Sequence, residues 1–288
     1  MIKVFAVILN YNGFADTKKC LQSLHKLKGK NYRLRVVVVD NGSRDYQKKL
    51  LLNYLKKTEW GSKIALDGIQ FIENSKNLGF AAGNNLGIRF SLKKGADYVL
   101  ILNNDTVMEM NILDKLFDIN AHISSPAVKF RESKKSHRFI YDLGGYVNWW
   151  TGRTEHNNVS GNDYQIYAEK KEIAVDYVSG CSMLIKKQVF KKIGLFDENY
   201  FFYFEDVDFC IRAGNQGLSV IVCPGAVIYH KLAGSIKRWS NKAICANLTG
   251  NFVFITKHLG LRRITGYVYL FALTCKIIFD RLISKMKI

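Results

Sequence analysis

Proline is scarce in this sequence, with two residues among 288, and the six cysteines form no CxxC pair. Together with 48% hydrophobic residues, this excludes a disordered or collagen-like chain and indicates a globular protein with one substantial core. The cysteines lie mostly in apolar runs, which is typical of reduced core thiols and predicts neither a zinc site nor disulfides. Their pattern predicts a cytoplasmic protein.

Long hydrophobic runs are also missing. The N-terminal run Val4–Leu9 is too short for a signal peptide and leads directly into a polar turn, so we interpret it as a strand. The longest apolar segment, Ile264–Phe279, is interrupted by Lys276 and is shorter than the roughly 20 residues that span a bilayer. We therefore expect no transmembrane helix, and a helix lying in the membrane interface remains an alternative.

Acidic residues become rare toward the C-terminal end. The chain has 43 Lys and Arg against 24 Asp and Glu, a net charge of +19. Beyond Asp208 the only acidic residue is Asp280, whereas twelve Lys and Arg residues occur there. The excess predicts an anionic partner, either a nucleic acid, a nucleotide or an anionic membrane surface. Because no recognition motif and no basic stripe with interleaved aromatics is present, we expect no nucleic acid partner.

Buried strands alternate with helical patterns over the first hundred residues. Continuous apolar or β-branched runs occupy residues 4–9, 34–39, 69–72 and 98–102, with helical spacing of apolar residues between them. Ser43 is a candidate N-cap for the second helix. Such alternation predicts an α/β fold with a mostly parallel central sheet flanked by helices.

Polar residues follow each of these strands. They are Asn10 and Asn12, Asp40 and Asn41, Asn77 and Gly79, and Asn103, Asn104 and Asp105. Because ligands of such sheets gather at the carboxyl ends of the strands, the four clusters predict a site for a polar ligand. Gly79 and Gly83 would allow close backbone approach to a phosphate or sugar, but no GxGxxG or P-loop pattern is present. Asp105 is a candidate ligand for Mg²⁺ or Mn²⁺, or alternatively the N-cap of a helix beginning near Glu109.

An unusual mixture of aromatic and acidic side chains occurs in the stretch GLFDENYFFYFEDVDFCIR, residues 194–212. An apolar wall beside Glu205 and Asp206 would raise the pKa of a carboxylate and make it a better proton acceptor. The alternative is that the acids only charge the first turn of a helix, with Asp208 pairing to Arg212 one turn later.

The segment between residues 126 and 176 is irregular. It contains Gly144-Gly145 and the pair Trp149-Trp150, which could stack on an acceptor sugar or serve as packing residues of a hairpin. Just after it, Gly180 begins a further strand, where it would permit close approach to a donor sugar or form a simple bulge.

Taken together, these motifs resemble those of the family 2 glycosyltransferases. The series is NYNG, VVVVDNGSRD, NLGFAAGNN, LNND, GCSMLIKKQVF, the aromatic and acidic stretch, and YHKLAGS. The similarity covers roughly residues 2–235 and is greatest to the rhamnosyltransferases and galactofuranosyltransferases of bacterial cell-envelope polysaccharides. It implies a GT-A fold, in which a nucleotide-binding sheet is joined to an acceptor-binding half, and transfer with inversion at the anomeric carbon.

The resemblance also implies a set of residues around the nucleotide sugar: Asn10, Asn12, Asp40, Asn77, Gly79, Asn84, Asn104 and Gly180. Among these, Asn10 and Asn12 would lie along the nucleotide, and Asp40 would contact the pyrimidine or ribose. Because LNND stands where the family has its DxD motif, Asp105 carries over as the metal ligand. The first acid of that motif is Asn103 here, which leaves open whether Mg²⁺ or Mn²⁺ is strictly required.

The catalytic assignments come from the same resemblance. Asp206 carries over as the base, and Glu205 would orient the acceptor. His230 resembles a late histidine that completes the metal and pyrophosphate site, although a histidine ending an apolar strand can equally be a packing residue.

These patterns predict two parts of the chain. Residues 1–235 would form the transferase domain, with a nucleotide-sugar half (1–125) and an acceptor and catalytic half (126–235). Residues 236–288 would form a basic, amphipathic helical region, with helices at about 243–257 and 261–283. A helix of this kind suits an anionic membrane surface, for instance the inner face of the cytoplasmic membrane, or packs on the core with a solvated basic face.

The leading interpretation is an inverting glycosyltransferase that moves a sugar from dTDP-rhamnose or a UDP-sugar to a glycan or lipid-linked acceptor. A catalytically silent sugar-nucleotide-binding protein is an alternative because of Asn103. A basic nucleic-acid-binding protein, suggested only by the net charge, is a weaker one.

Overall fold

The computed structural model describes residues 1–27, 29, 31–57, 66–131, 138–231 and 240–286. The predicted boundary at residue 235 and the end of the YHKLAGS motif lie outside these residues. The strands that the structure describes are, in chain order, β1 (Ile2–Asn10), β2 (Tyr32–Asn41), β3 (Leu66–Asn74), β4 (Tyr98–Asn103), β5 (Thr106–Met108), β6 (Ile123–Arg131), β7 (Phe139–Asn148), β8 (Arg153–Ser160), β9 (Ile173–Ala174), β10 (Ser182–Lys186) and β11 (Val220–His230).

The described helices surround these strands. They are α1 (Phe14–His25), α2 (Asp45–Lys57), α3 (Gly79–Lys93), α4 (Ile112–Ile119), α5 (Tyr164–Ala168), α6 (Lys187–Ile193), α7 (Glu205–Gly214), α8 (Asn241–His258) and α9 (Arg263–Met286), with a 3₁₀ turn at Gly260–Arg262. The predicted α/β class and the two C-terminal helices are confirmed.

One sheet runs through the whole molecule in the order β3-β2-β1-β4-β10-β6-β11-β5. Strands β3, β2, β1 and β4 are parallel, as the alternating pattern predicted. Beyond β4 the sheet is mixed, because β10 runs antiparallel to both β4 and β6. The carboxyl ends of β1 to β4 therefore meet along one edge, beside the loop that leads into β10.

The two faces of the sheet bury two separate cores. Along β1, Val7 faces the cluster beneath α3, α7 and α8, whereas Ile8 faces the cluster beneath α1, α2 and α4. This alternation is the period of two that a strand imposes, and it explains why both faces of β1 and β2 are apolar. Phe254 of α8 is fully buried in the first core, so this helix is part of the folded body.

Helix α3 lies unusually close to the sheet because two of its turns carry glycine. A Cβ atom on Gly87 would come within 2.4 Å of Val7 Cγ1, and one on Gly83 would come within 2.6 Å of Leu9 Cδ1. Only glycine permits this approach. The N-terminus of α3 is thereby held at the edge of the sheet where the predicted site residues lie.

Two local predictions were wrong. Ser43 is not the N-cap of α2, which begins at Asp45. Its hydroxyl instead accepts a hydrogen bond from the backbone amide of Asn12 at 2.8 Å. Asp105 does not cap a helix near Glu109 either, because β5 follows it and α4 begins only at Ile112.

The irregular region around residues 126–176 contains the β7–β8 hairpin, whose turn carries the two tryptophans. Trp149 contacts Phe254 of α8, with ring centroids 6.5 Å apart. Trp150 is 61% exposed and lies under Arg262, whose guanidinium is 4.8 Å from the ring. Both side chains therefore contact the C-terminal helical region.

Candidate active site

A chain of buried amide, hydroxyl and carboxylate groups joins the ends of β2, β1 and β4. Asn10 Nδ2 donates to Asp40 Oδ1 at 2.7 Å, and Asn10 Oδ1 accepts from Thr17 Oγ1 at 2.7 Å. Asn104 Nδ2 in turn donates to Thr17 Oγ1 at 3.0 Å. Asn10 and Asp40 are fully buried, so the network holds the strand ends in place. Thr17 was missed in the sequence, because an α-helical threonine carries no local signal of such a role.

Asn12 occupies the left-handed region, with φ 54°, and connects β1 to the loop after β2. Its Oδ1 accepts from the amide of Arg44 at 2.8 Å, and Ser43 Oγ also accepts from Asn10 at 3.2 Å. Asparagine tolerates this backbone conformation better than most residues. The loops after β1 and β2 are thus cross-linked.

Asn41 connects the end of β2 to the start of α3. Its Nδ2 donates to Asn77 Oδ1 at 3.1 Å and to the carbonyl of Gly79 at 3.0 Å. Asn77 Oδ1 also accepts from the amide of Gly79 at 2.9 Å. Asn84, one turn further along α3, is 1% exposed, and its Nδ2 donates to the carbonyl of Phe80 at 3.0 Å.

The start of α3 packs against the aromatic stretch. Gly79 has φ +85°, and a Cβ atom there would come within 2.4 Å of the carbonyl oxygen of Phe201. The amide of Phe80 donates to that same oxygen at 2.8 Å. The close approach that Gly79 permits is therefore to this loop. Tyr203 and Phe204 also have positive φ, at 73° and 72°, an uncommon conformation for large side chains that concentrates at functional sites.

Asp206 lies in the first turn of α7 and reaches the loop before β10. Its Oδ2 accepts from the amide of Gly180 at 2.8 Å, and its Oδ1 accepts from the amide of Val207 at 2.8 Å. A Cβ atom on Gly180 would be 3.3 Å from Asp206 Cβ and 3.1 Å from the ring of Phe80. Burial raises the pKa of Asp206, and the two amide hydrogen bonds partly oppose this rise.

Glu205 is only 4% exposed. Burial, and secondly the charge of Asp206, raise its pKa well above the ordinary value, which favours the protonated form. Its Oε2 is buried and has no hydrogen-bond partner within the part of the chain that the structure describes. In this pair of neighbouring carboxyl groups, Glu205 is therefore favoured in the neutral form more strongly than Asp206.

Asp208 is fully buried and has a different environment. Its Oδ2 accepts from Arg212 Nε at 2.7 Å, and its Oδ1 contacts His258 Nε2 at 2.8 Å and Lys257 Nζ at 2.7 Å. Burial alone would raise its pKa, but these cationic and donor groups outweigh it and lower the pKa to about 2. Its pairing with Arg212, expected from the i,i+4 spacing, is present, and α8 supplies the other partners.

Asp105 and His230 meet because β5 pairs antiparallel with β11. Thr106 lies opposite His230 in the register, and Asp105 Oδ1 is 3.0 Å from His230 Nε2. The two side chains are 8% and 15% exposed. A carboxylate oxygen and an imidazole nitrogen at this distance fit a divalent cation as two of its ligands. In the described ranges no group of three or more His, Cys, Asp or Glu side chains is arranged for a metal, so the other ligands would be phosphate oxygens and water.

The structure thus gathers the candidate residues into three adjoining groups. The first group, at the ends of the first strands, is Asn10, Asn12, Asp40 and Asn104. The second, at the start of α3, is Asn77, Gly79 and Asn84. The third is Gly180, Glu205 and Asp206, where the loop before β10 meets the first turn of α7. Asp105, directly after Asn104, pairs with His230 beside the first group. Burial raises the pKa of the Cys181 thiol, and the charges of Asp142, Asp105 and Asp206 add smaller amounts to that rise.

Comparison with known proteins identifies the class. Residues 5–194, about two thirds of the chain, match the family described as Glycosyl transferase family 2. The chain belongs to that family. The resemblance seen in the motifs is confirmed.

Several characterised relatives are similar over most of this chain. The low-salt glycan biosynthesis hexosyltransferase Agl10 of Haloferax volcanii is 28% identical over 75% of this chain, which spans 63% of the length of Agl10. The dTDP-rhamnosyl transferase RfbF of Shigella flexneri is 27% identical over 80% of this chain and 69% of its own. The rhamnosyltransferase WbbL of Escherichia coli is 25% identical over 77% of this chain and 92% of its own.

Solved structures share the fold. The crystal structure of GalNAc-T7 with UDP, GalNAc and Mn²⁺ has a TM-score of 0.65 at 14% identity, covering 89% of this chain and 48% of that one. The structure of Staphylococcus aureus TarS with UDP has a TM-score of 0.55 at 15% identity, covering 93% and 71%. The predicted GT-A fold is confirmed, and the chain is a family 2 glycosyltransferase with rhamnosyltransferase homologues.

The Asp208 cluster should make stability depend on acid pH. The pKa of Asp208 is lower in the folded state than in the unfolded state, so its stabilisation is complete above about pH 4 and is lost as the pH falls toward 2. Replacement by Asn leaves Arg212 and Lys257 without a buried anion and should cost about 3–5 kcal/mol at neutral pH. Urea unfolding of Asp208→Asn should show a large decrease in the free energy of unfolding at pH 7 and a smaller decrease at pH 3. Asp163→Asn, at an exposed carboxylate, serves as the control. If Asp208→Asn lowered the free energy of unfolding equally at both pH values, the lowered pKa of Asp208 would be contradicted.

Proposed function

We propose that this chain is an inverting glycosyltransferase that moves a sugar from dTDP-rhamnose or a UDP-sugar to a hydroxyl of a glycan or lipid-linked acceptor. The observation that carries this proposal is the convergence of the Asp206 carboxylate, held by the Gly180 amide, with the residue groups at the ends of the parallel strands. Relatives named as a dTDP-rhamnosyl transferase and as N-acetylglucosaminyl-diphospho-decaprenol L-rhamnosyltransferase support this donor and acceptor class.

In this mechanism Asp206 takes the proton from the acceptor hydroxyl as the hydroxyl oxygen forms a bond to the anomeric carbon. The bond from that carbon to the diphosphate oxygen breaks on the opposite side, and the diphosphate leaves with the electron pair. The raised pKa of Asp206 makes it a stronger proton acceptor than an exposed aspartate, and the Gly180 amide fixes its direction. Glu205, favoured in its protonated form, would orient the acceptor beside it.

Asp105 and His230 would hold Mg²⁺ or Mn²⁺ together with the diphosphate of the donor. When bound, such a cation supplies positive charge that offsets the negative charge developing on the leaving diphosphate. Asp105 and His230 could hold the cation although Asn103 replaces the first acid of the metal motif. Transfer chemistry is therefore favoured over the alternative of a silent sugar-nucleotide-binding protein.

Replacing Asp206 with Asn should remove transfer while preserving donor binding, since the amide has almost the same shape but cannot accept the proton. We expect turnover to fall by about 10²–10⁴-fold. The measurement is released nucleoside diphosphate together with the thermal shift that the donor produces. Turnover near that of the unmodified protein would refute Asp206 as the base, and Asp163→Asn provides the matched control.

Replacing Asp105 with Asn should weaken metal-dependent binding of a nucleoside diphosphate, because a neutral amide is a poorer ligand than a carboxylate. We expect the increase in dTDP or UDP affinity that Mn²⁺ produces to fall by at least about 10-fold. This is the lower end of the range of effects seen when a group that supports a bound metal is removed. Isothermal titration with and without Mn²⁺ measures it, and Glu109→Gln is the control at a nearby exposed acid. Identical Mn²⁺ dependence in Asp105→Asn would contradict the site.

We also propose that α9 rests on an anionic membrane surface close to a lipid-linked acceptor. None of the described helices combines the length and apolarity needed to cross a bilayer. The outer side of α9 nevertheless exposes a row of apolar side chains: Ile264, Val268, Phe271, Ile278, Phe279 and Leu282. Exposed Trp150 adjoins the start of this row, stacked with Arg262. An aromatic side chain beside basic residues suits the membrane interface and supports the proposed location at the inner face of the cytoplasmic membrane.

A second copy of the chain is a less favourable occupant of this surface. The sequence of α9 carries Arg263, Lys276, Arg281 and Lys285 but only one acid, Asp280, so two such helices would repel each other. Anionic lipid headgroups complement the same charges. The row of exposed apolar residues together with the basic residues is therefore assigned to lipid.

The double variant Phe271→Ser with Ile278→Ser should lose membrane binding without unfolding, because both side chains are more than half exposed. Flotation with vesicles containing phosphatidylglycerol, compared with vesicles of phosphatidylcholine alone, measures it. Ile166→Ser, at a 68% exposed position on α5, is the control. Equal flotation of both variants, or a concentration-dependent dimer that disappears in the double variant, would count against the lipid assignment.

A further inference from the structure

A groove lies where β5 ends the sheet, beside the pair formed by Asp105 and His230. Its volume is about 270 Å³. The side chains that line it come from β5, β6, β7 and β11 and from the residue after β5, and they include Val107, Glu109, Lys129, Phe139, Val227 and Tyr229. None of these residues was selected from the sequence.

The groove is close to the proposed site of the donor diphosphate. Val107 follows Asp105 by two residues, so their Cα atoms are at most about 7 Å apart. Tyr229 lies opposite Val107 in the register and directly precedes His230. Asp105 Oδ1 is in turn 3.0 Å from His230 Nε2. A molecule in the groove would therefore lie next to a donor whose diphosphate is held by Asp105 and His230.

One row of side chains crosses four neighbouring strands at the groove. Tyr229 of β11 lies opposite Val107 of β5 and is paired with Lys129 of β6. Lys129 in turn lies opposite Tyr141 of β7. Because paired residues point to the same face of a sheet, these side chains share one face. Helix α5 covers the Tyr141 end, where the ring of Tyr164 stacks on Tyr141 with centroids 3.7 Å apart, and the rest of the row lines the groove.

Lys129 is the one cation in this row, and it is half-buried. Its Nζ is 4.4 Å from the ring centroid of Phe139 and 5.5 Å from that of Tyr141. Within the described ranges no ion pair joins it to a carboxylate, and Glu109 in the same groove is paired with Lys115 at 3.8 Å. An ammonium group has three N–H donors, which contacts with ring faces do not use in hydrogen bonds to oxygen. An anionic ligand would supply acceptors for them.

A second cation flanks the ring of Phe139. Arg131 lies opposite Phe139 in the register, and its guanidinium is 5.9 Å from the ring centroid. Because residues two apart on a strand share a face, Lys129 and Arg131 project on the same side of β6. The groove thus combines an apolar and aromatic floor with two cations at one end.

We propose that this groove binds the diphosphate of a lipid-linked acceptor, with Lys129 as the main contact and Arg131 as the second. The assignment rests on the proposed glycosyltransferase function and restricts it to acceptors in which a diphosphate joins the sugar to the lipid. Ammonium and guanidinium groups both donate charge-assisted hydrogen bonds to phosphate oxygens. The apolar floor beside them suits the first carbon atoms of the lipid chain.

A purely structural role for Lys129 makes a different prediction. If its ammonium only stabilises the two rings, Lys129→Met lowers the free energy of unfolding and leaves the kinetics of the folded protein unchanged. If it binds the acceptor diphosphate, Lys129→Met raises the acceptor KM, whereas Lys129→Arg keeps the charge and most of the affinity. Lys94→Met is the matched control, because Lys94 lies 5.8 Å from the ring centroid of Phe90 at the C-terminal end of α3.

The experiment uses the full chain and two acceptors that carry the same sugar. One is a short-chain N-acetylglucosaminyl diphospholipid, and the other is the neutral octyl N-acetylglucosaminide, with dTDP-rhamnose and UDP-sugars as donors. For Lys129→Met we expect the KM of the diphospholipid to rise at least about 10-fold, the effect of one lost charge-assisted hydrogen bond. The donor KM and the KM of the neutral acceptor, or its inhibition constant if it is not turned over, should stay within about twofold. Lys94→Met should behave as the unmodified protein.

The contradicting outcomes separate the subsite from the function. An unchanged KM of the diphospholipid in folded Lys129→Met overturns the subsite and leaves the transferase function intact. An equal rise for both acceptors also overturns it, because the contact would then not be to the diphosphate. Loss of flotation with phosphatidylglycerol vesicles in Lys129→Met would assign the groove to membrane lipid instead. Absence of both transfer and donor binding in the unmodified chain overturns the proposed function itself.

Discussion

The geometry of the candidate active site depends on the ion pairs of the buried Asp208 carboxylate. It accepts from Arg212 of its own helix and from Lys257 and His258 at the end of α8. Arg212 also donates to the carbonyl of Leu195, just after α6, at 2.8 Å. Helices α7 and α8 and the loop after α6 are therefore joined around one charge. Because α7 is fixed in this way, its first turn presents Asp206 to the Gly180 amide and not to solvent.

Three carboxylates in the first turn of α7 show how the local environment changes the pKa of similar groups. Burial raises the pKa of Glu205 and of Asp206, while the cationic partners lower that of Asp208 to about 2. Chemically similar groups thus differ in how readily they bind a proton, which suits the roles proposed for Glu205 and Asp206 and the structural contacts of Asp208. The positive φ angles of Tyr203 and Phe204 and the contact of Phe201 with α3 place this turn against the sheet. Burial is the largest cause of both raised pKa values, and the charge of Asp206 adds to the rise at Glu205.

Much of the parallel part of the sheet was predictable because its signals are local. Strands β1 to β4 appeared as continuous apolar runs, and the polar residues after them do lie along one edge of the sheet, as parallel strands require. Thr17 and Ser43 were not recognised, since their contacts with Asn10 depend on how α1 and the loop after β2 pack together. The tryptophans at the β7–β8 turn stayed ambiguous until their contacts with Phe254 and Arg262 were seen. Asp142 and His156 are 14 residues apart and meet only through a bulge, which no sequence period reveals.

The sequence by itself determined the class of fold, the family and the identity of the candidate acids, because apolar periodicity and motif order are properties of the chain. It also set the basic, amphipathic character of the C-terminal end. Only the tertiary structure decided which candidates meet. His230 reaches Asp105 through the pairing of β11 with β5, and Asp206 reaches Gly180 through the docking of α7. The tertiary structure likewise decided which carboxyl groups have a raised pKa and which have a lowered one. The reason is physical: distances and burial depend on contacts between residues far apart in sequence, whereas the local pattern records only which faces are apolar.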